Sequence, residues 1–129
     1  DAAEICAKAA PFIDGYKGDI CIESFNPKAV QWFKKNRPQM VRGQLTMNFM
    51  KEPCGLGLLA RIGMSNLLVN VLGRPDFIAY GDYTGDTLGF AACRLFHPML
   101  AAWTITSQEQ QDKLKNRYHT VIFEQYLAQ

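Results

Sequence analysis

The sequence lacks a strong excess of charge of either sign. It has 14 lysines and arginines against 12 aspartates and glutamates, a formal net charge of +2, spread along 129 residues. Proteins that bind nucleic acid or anionic membranes electrostatically carry a dense basic patch. The nearest such group here is Lys34, Lys35, Arg37 and Arg42, and a predicted helix end divides it. We therefore expect a solvated surface at these positions and no nucleic-acid partner.

The four cysteines form neither a metal-binding nor a disulfide pattern. Cys6, Cys21, Cys54 and Cys93 lie 15, 33 and 39 residues apart, whereas zinc sites use closely paired ligands and small secreted domains use dense disulfides. We predict that these cysteines are reduced and mostly buried. The chain also shows no charged leader followed by a cleavage site. The cysteine pattern favours a cytoplasmic location, whereas the missing leader says little, because the sequence does not begin with Met.

No apolar run is long and uninterrupted. The longest apolar stretch, residues 55–72, contains Arg61, Asn66 and Asn70. An arginine near its middle would be costly in a bilayer. We therefore predict no membrane span and interpret the stretch as a helix that covers a sheet, preceded by an irregular inserted loop around residues 51–57.

What the sequence does contain is an alternation of short apolar strands and helices. Residues 2–16 have helical periodicity. Asn26 and Pro27 are an N-cap and a first-turn proline, and Ser107 with Gln110 forms a capping box. Strands are predicted to begin near residues 20, 40, 76 and 99. Repeated β–α–β units require a parallel sheet, either an open doubly wound sheet or part of a closed barrel, and the pattern alone does not choose between them.

Several segments, in order along the chain, resemble parts of the glycerophosphodiester phosphodiesterase family. They are residues 18–27 (GDICIESFNP), 36–38 (NRP), 42–45 (RGQL), 74–80 (RPDFIAY), 102–105 (AWTI) and 122–124 (IFE). The resemblance spans essentially the whole chain. It implies a single domain over residues 1–129 that forms the C-terminal half of a TIM (β/α)₈ barrel. That half would comprise four parallel strands, the fifth to the eighth of the barrel, with flanking helices.

The resemblance also implies a chemistry. Members of the family hydrolyse glycerophosphodiesters to glycerol 3-phosphate and an alcohol, using a bound divalent metal, often calcium or magnesium, and two histidines. The family's His-Arg-Gly and Glu-x-Asp segments do not occur in this chain. We therefore expect no catalytic or metal-binding residue here, and we expect a fragment inactive alone that pairs with a missing N-terminal half or with a second copy. The alternative is a non-catalytic α/β module that binds a phosphate or head group at its strand ends.

Three residues are implied as substrate-binding: Trp103, Phe25 and Glu23. The two aromatic side chains match family positions at the C-terminal ends of strands, where barrel enzymes bind ligands. They would hold the glycerol or the alcohol, including a choline by cation–π attraction. From the pattern alone, a tryptophan or phenylalanine at a strand end is also typical of a core. Glu23 either lines the pocket or pairs with Arg42 on the next strand.

Other candidates are weaker. Gln44 and Tyr80 end predicted strands, but a plain packing role is favoured for both. His97 is predicted to lie in a surface turn and His119 at a helix end, outside every matched segment. The loop at residues 81–86 has glycines and acidic residues, yet it lacks the ligand spacing of a calcium loop and is predicted to be a turn.

Overall fold

The computed structural model describes residues 1–51 and 55–127. Its strands form one parallel sheet in which the strand order follows the chain: β1 (Cys21–Ser24), β2 (Val41–Thr46), β3 (Phe77–Gly81), β4 (Met99–Ile105) and β5 (Thr120–Phe123). The helices that accompany them are α1 (Ala2–Asp14), α2 (Pro27–Asn36), α3 (Leu58–Ser65), α4 (Asn70–Gly73), α5 (Leu88–Arg94) and α6 (Gln108–Leu114). The sheet curls into a half-barrel with flanking helices, and the predicted fold class is confirmed.

The described sheet has five strands, so the predicted number of four is wrong. The additional strand is β5, which the sequence presented only as a short closing apolar segment. It pairs in parallel with β4, placing Thr120 beside Ala101 and Val121 beside Ala102. Within the described residues, β1 pairs only with β2 and β5 only with β4. Both edges of the half-barrel therefore present unpaired backbone groups.

The convex face of the sheet carries the main core. Ile78 and Tyr80 of β3 and Leu100 of β4 are buried there against Phe90 of α5 and against Tyr118. The rings of Tyr80 and Phe90 are stacked, with centroids 3.7 Å apart. Because side chains alternate along a strand, the remaining strand residues face the concave side. The two faces therefore have different neighbours, helices on one side and open space on the other.

The concave face is apolar and partly open. Phe77, Ala79 and Ala101 are buried on it, whereas Val41 is 47% exposed and Met99 is 52% exposed. A Cβ added at Gly43 would lie 2.3 Å from the Phe77 ring, so this ring lies directly over the glycine. The interior of a closed barrel is filled with side chains from all its strands. The described strands therefore supply one side of such an interior, and side chains from the opposite strands of a closed barrel would be needed to fill it.

The predicted helix caps are confirmed. The Asn26 side chain accepts a hydrogen bond from the backbone N–H of Lys28, at 3.0 Å, and the Ser107 hydroxyl accepts one from the backbone N–H of Gln110, at 3.3 Å. In a standard capping box the N3 side chain returns to the N-cap backbone. Here Gln110 Oε1 instead accepts from the N–H of Thr106, one residue earlier, at 2.9 Å.

The long apolar stretch forms two short helices, α3 and α4. Between them the backbone of Leu67 is left-handed, with φ of 60°, which ends α3. Arg61 extends from α3 to donate hydrogen bonds to the carbonyls of Phe49 and Met50. Among the described residues, no helix is both long and apolar enough to cross a membrane. The predicted inserted loop falls partly on residues 52–54, outside the described residues.

Two predictions about burial need correction. Cys6 is buried and Cys93 is half-buried, but Cys21 is exposed on the concave face; Cys54 lies outside the described residues. Arg42 does not belong to a solvated basic surface. Its side chain is 8% exposed and forms an ion pair with Asp76 at 3.0 Å, because it projects from the convex face of β2 into the helix layer.

Candidate functional site

Four aromatic side chains meet at the C-terminal ends of the strands. We call this group, Phe25, Phe49, Tyr83 and Trp103, the aromatic rim. The ring centroids of Phe25 and Trp103 are 5.4 Å apart, those of Phe25 and Phe49 are 6.0 Å apart, and those of Tyr83 and Trp103 are 5.9 Å apart. All three pairs meet edge to face, an arrangement that aromatic rings favour.

The contact between Phe25 and Trp103 depends on the curvature of the sheet. Phe25 follows β1 and Trp103 belongs to β4, so β2 and β3 separate their strands. Three inter-strand spacings of about 4.8 Å would hold them roughly 14 Å apart in a flat sheet. The curl of the half-barrel brings the two rings into contact across its mouth. This is the end at which ligands bind in parallel β/α barrels.

Buried polar contacts fix the positions of the rim residues. The Gln44 side-chain amide, fully buried on β2, donates to the backbone carbonyls of Ser24 and Phe25, at 2.9 and 3.1 Å. Trp103 Nε1–H donates to the carbonyl of Ala79 on β3, at 2.9 Å. The indole nitrogen is therefore satisfied within the protein, and Trp103 offers its ring surface to the mouth.

The loop after β2 places Phe49. The Phe49 N–H donates to the Ser65 hydroxyl at 2.9 Å, and the neighbouring Asn48 N–H donates to the Thr84 hydroxyl, also at 2.9 Å. Arg61 holds the Phe49 carbonyl at 2.8 Å. Phe49 is consequently only 3% exposed, and its buried ring packs against the more exposed ring of Phe25.

Exposure differs within the aromatic rim. Phe25 is 38% exposed and Tyr83 is 63% exposed, while Trp103 is half-buried. The Tyr83 hydroxyl donates to the Met47 sulfur at 3.5 Å. A ligand at the mouth would thus meet the exposed parts of Phe25 and Tyr83 and the half-buried ring of Trp103.

Glu23 lies apart from the aromatic rim. It lines a separate cavity of about 310 Å³ on the concave face, together with Cys21, Phe77 and Met99. The alternative pairing with Arg42 is wrong, because Arg42 projects to the opposite face and binds Asp76. Within the described residues Glu23 makes no hydrogen bond or ion pair. Partial withdrawal from water among apolar neighbours raises the pKa of its carboxyl group.

This raised pKa predicts a pH dependence of stability. A carboxyl group whose pKa is higher in the folded state favours folding most below its unfolded pKa, and that contribution is lost as the pH rises through the folded pKa. We expect Glu23→Gln to unfold at higher urea concentration than the wild type at pH 7, and the difference to shrink at pH 4. Glu124→Gln is the control, because Glu23 and Glu124 are both exposed but only Glu23 lines the apolar cavity. A difference that grows at pH 4 would contradict this assignment.

Two weaker candidates have packing roles. Tyr80 is fully buried on the convex face, and its hydroxyl donates to the Gly85 carbonyl at 2.9 Å. Gln44 is also fully buried and touches the site only through the backbone it holds at Phe25. The loop at residues 81–86 is a turn, as predicted, and contains a single 3₁₀ turn at Asp82–Thr84.

Both histidines lie at the opposite end of the strands. His97 is exposed in the turn before β4, with a left-handed backbone. His119 precedes β5, and its Nδ1 accepts a hydrogen bond from the N–H of Leu100 at 3.1 Å. The imidazole of His119 therefore helps to dock β5 on β4. Neither ring reaches the aromatic rim.

The described histidine, cysteine, aspartate and glutamate side chains do not fit a metal centre. Among residues 1–51 and 55–127, no three histidine, cysteine, aspartate or glutamate side chains come together to hold an ion. Glu23, the one carboxylate on the concave lining, would supply a single ligand, whereas calcium takes six to eight oxygen ligands. No catalytic step through a metal follows from these residues.

Sequence reasoning missed two members of the rim, Phe49 and Tyr83. Both come shortly after a strand ends, three residues after β2 and two after β3. The rule that strand ends meet at one mouth of a barrel was a usable signal for both. It was applied to the last residues of the strands and not to the loops that follow.

The fold has a counterpart among solved structures. No family model and no curated protein matches the chain. A phosphodiesterase from Oleispira antarctica, solved in complex with its product sn-glycerol-3-phosphate, superposes with a TM-score of 0.67 at 16% sequence identity. The match covers 95% of this chain. The fold is that of half a β/α barrel. The chain spans 46% of the length of the structure it matches, so the likeness concerns architecture alone.

Proposed function

We propose that this chain supplies the C-terminal half of a barrel that hydrolyses glycerophosphodiesters to sn-glycerol 3-phosphate and an alcohol. The observation that carries the proposal is the contact of Phe25 with Trp103 at the C-terminal mouth, 5.4 Å between ring centroids. These two residues were implied as substrate-binding from sequence. Aromatic faces at this position suit an alcohol that is apolar or carries a cation, such as choline.

The proposal assigns the proton transfers and the metal to other residues. The described rim offers no acid–base pair, since the histidines lie at the far end of the strands. The divalent metal, calcium or magnesium, belongs to the complete barrel and would be bound by side chains that this chain does not supply. The partner that completes the barrel is a missing N-terminal half or a second copy. The open concave face and the two unpaired sheet edges support this arrangement.

The proposed location is the cytoplasm. The spacing of the cysteines supports this location, because it does not form the dense disulfide framework of small secreted domains. Exposed Cys21 is also compatible with a reducing compartment, where a free thiol at a surface persists.

The alternative function is a non-catalytic module that binds a phosphate or head group at the strand ends. It is favoured by one observation, namely that the rim contains aromatic side chains fixed by backbone hydrogen bonds, as at Trp103 and Ala79, without an acid–base pair beside them. A preorganised aromatic site binds a head group with no metal and no proton transfer.

Hydrolysis of glycerophosphocholine in the presence of calcium or magnesium tests the proposal. The chain alone is expected to release no glycerol 3-phosphate. Mixing it with a separately expressed N-terminal half-barrel that carries the histidine and metal-ligand segments is expected to produce turnover, with the N-terminal half alone as the control. Turnover by the chain alone would refute the proposal that the metal and the proton transfers are supplied by residues outside this chain. Metal-independent binding without turnover in any mixture would favour the binding module.

A further inference from the structure

A second cleft opens beside the aromatic rim. It lies between the 3₁₀ turn at Asp82–Thr84, the end of β4 and α6, and has a volume of about 230 Å³. Trp103 and Tyr83 belong to both the rim and this side cleft, so a ligand held at the rim can extend into it. The remaining walls include the side chains of Thr104, Gln110 and Lys113.

The polar groups of the side cleft that are unpaired or only in an exposed ion pair can all donate hydrogen bonds. Gln110 uses only its Oε1 atom, which accepts from Thr106, so its amide N–H₂ group has no partner within the described residues. The Thr104 hydroxyl likewise has none there. Lys113 uses one contact, with Glu109 at 2.7 Å. An amide N–H₂, a hydroxyl and an ammonium group together suit an anionic oxygen ligand.

The acidic residues near the side cleft do not cancel this preference. Asp82 Oδ1 accepts from the Tyr118 hydroxyl at 2.8 Å and forms an ion pair with Arg117 at 3.3 Å. Arg117 also pairs with Asp86, which lies 3.8 Å from Arg94, so two arginines balance the two aspartates. The pair between Lys113 and Glu109 is exposed on both sides, 70% and 78%. An exposed pair of this kind is weak and exchanges readily for another anion.

We propose that the side cleft binds an anionic group carried by the alcohol part of the ligand, so that this chain prefers phosphodiesters whose alcohol is itself anionic. This inference rests on the proposed function. The rim holds the carbon skeleton or ammonium group against Trp103, and Lys113 with Gln110 and Thr104 binds the anion. The side cleft binds the anionic group of the alcohol, and the phosphodiester group itself stays at the C-terminal mouth of the strands.

Glycerophosphoserine and glycerophosphoethanolamine test the inference, because they differ by one carboxylate. NMR chemical-shift titration of the chain, alone and after mixing with the N-terminal half-barrel, is expected to show about fivefold tighter binding of the serine diester wherever binding occurs, the effect of one solvent-exposed ionic contact. Lys113→Gln is expected to abolish the preference and Lys113→Arg to retain it. Lys115→Gln, a lysine at the end of α6 outside the cleft, is the matched control and is expected to retain it.

The possible results separate the two levels of the proposal. If the preference persists in Lys113→Gln, or if the ethanolamine diester binds as tightly to the wild type, the side cleft is not an anion site and the proposed function is untouched. If neither diester causes shifts at the aromatic rim of the wild type, either alone or in the completed barrel, the proposed ligand class is wrong and the inference falls with it.

Discussion

The variant Gly89→Ala is expected to lose roughly 3 kcal/mol of unfolding free energy, within the range of severe packing clashes. Gly89 lies in α5, and a Cβ there would be 2.3 Å from the backbone oxygen of Asn66 and 2.4 Å from its Cα. The Gly89 N–H also donates to Asn66 Oδ1 at 2.9 Å. Because the clash is with backbone, relief requires α5 to move away from the end of α3.

Gly63→Ala provides the matched control for this clash. Gly63 also lies inside a helix, α3, but a Cβ at this position would meet nothing within 4 Å. Alanine in a helix interior is favoured over glycine by up to about 1 kcal/mol. Urea unfolding should therefore show a lower midpoint for Gly89→Ala and an equal or higher one for Gly63→Ala. A Gly89 variant within 0.5 kcal/mol of wild type, about the size of an ordinary surface change, would mean that the two helices are not packed as described.

Local signals predicted most of the elements because local chemistry determines them. Asn26 and Pro27 set the start of α2, and Ser107 sets the start of α6, through hydrogen bonds to backbone groups two or three residues away. The strands β1, β3 and β4 coincide with short apolar runs, and β2 coincides with a run in which Arg42 and Gln44 alternate with apolar residues. In each case the information lies within a few residues of the element.

Features that depend on contacts between residues distant in the chain could not be predicted from local sequence signals. The strand β5 has only four residues and is exposed in part; it exists because His119 and its neighbours hydrogen bond to β4. The apolar stretch at residues 55–72 divides into α3 and α4 at Leu67, which is buried against the convex core in a left-handed conformation. Arg42 is buried because Asp76, 34 residues later, meets it.

The candidate site shows the same contrast between residues that the sequence indicated and contacts that depend on the tertiary fold. Phe25 and Trp103 were implied by the resemblance, and the curl of the sheet brings them together. The separation of Glu23 from them was not predictable, because it depends on which cavity of the concave face the side chain lines. The place of Phe49 just after β2 was a usable signal, whereas the contacts with Ser65 and Arg61 that fix its backbone were not readable, because these residues are far along the chain.

Trp103→Ala has the largest expected effect on ligand binding. If the chain is a binding module, the variant should weaken binding of glycerophosphocholine about tenfold, since a cation–π contact to tryptophan contributes between about 0.5 and 2 kcal/mol and 1.4 kcal/mol corresponds to a factor of ten. If the chain is half of an enzyme, the loss should appear only in activity after the barrel is completed. Titration of the chain alone, followed by assay of the completed barrel, distinguishes the two.

Two further variants make the Trp103 result interpretable. Trp103→Phe retains an aromatic ring beside Phe25 but loses the hydrogen bond to the Ala79 carbonyl, so it should keep most of the affinity at lower stability. Trp32→Ala removes the other tryptophan, which lies on α2 against Phe33, and should leave ligand binding unchanged. Equal losses of ligand affinity in Trp32→Ala and Trp103→Ala would show that the effect comes from impaired folding. The aromatic rim would then not be the ligand-binding site.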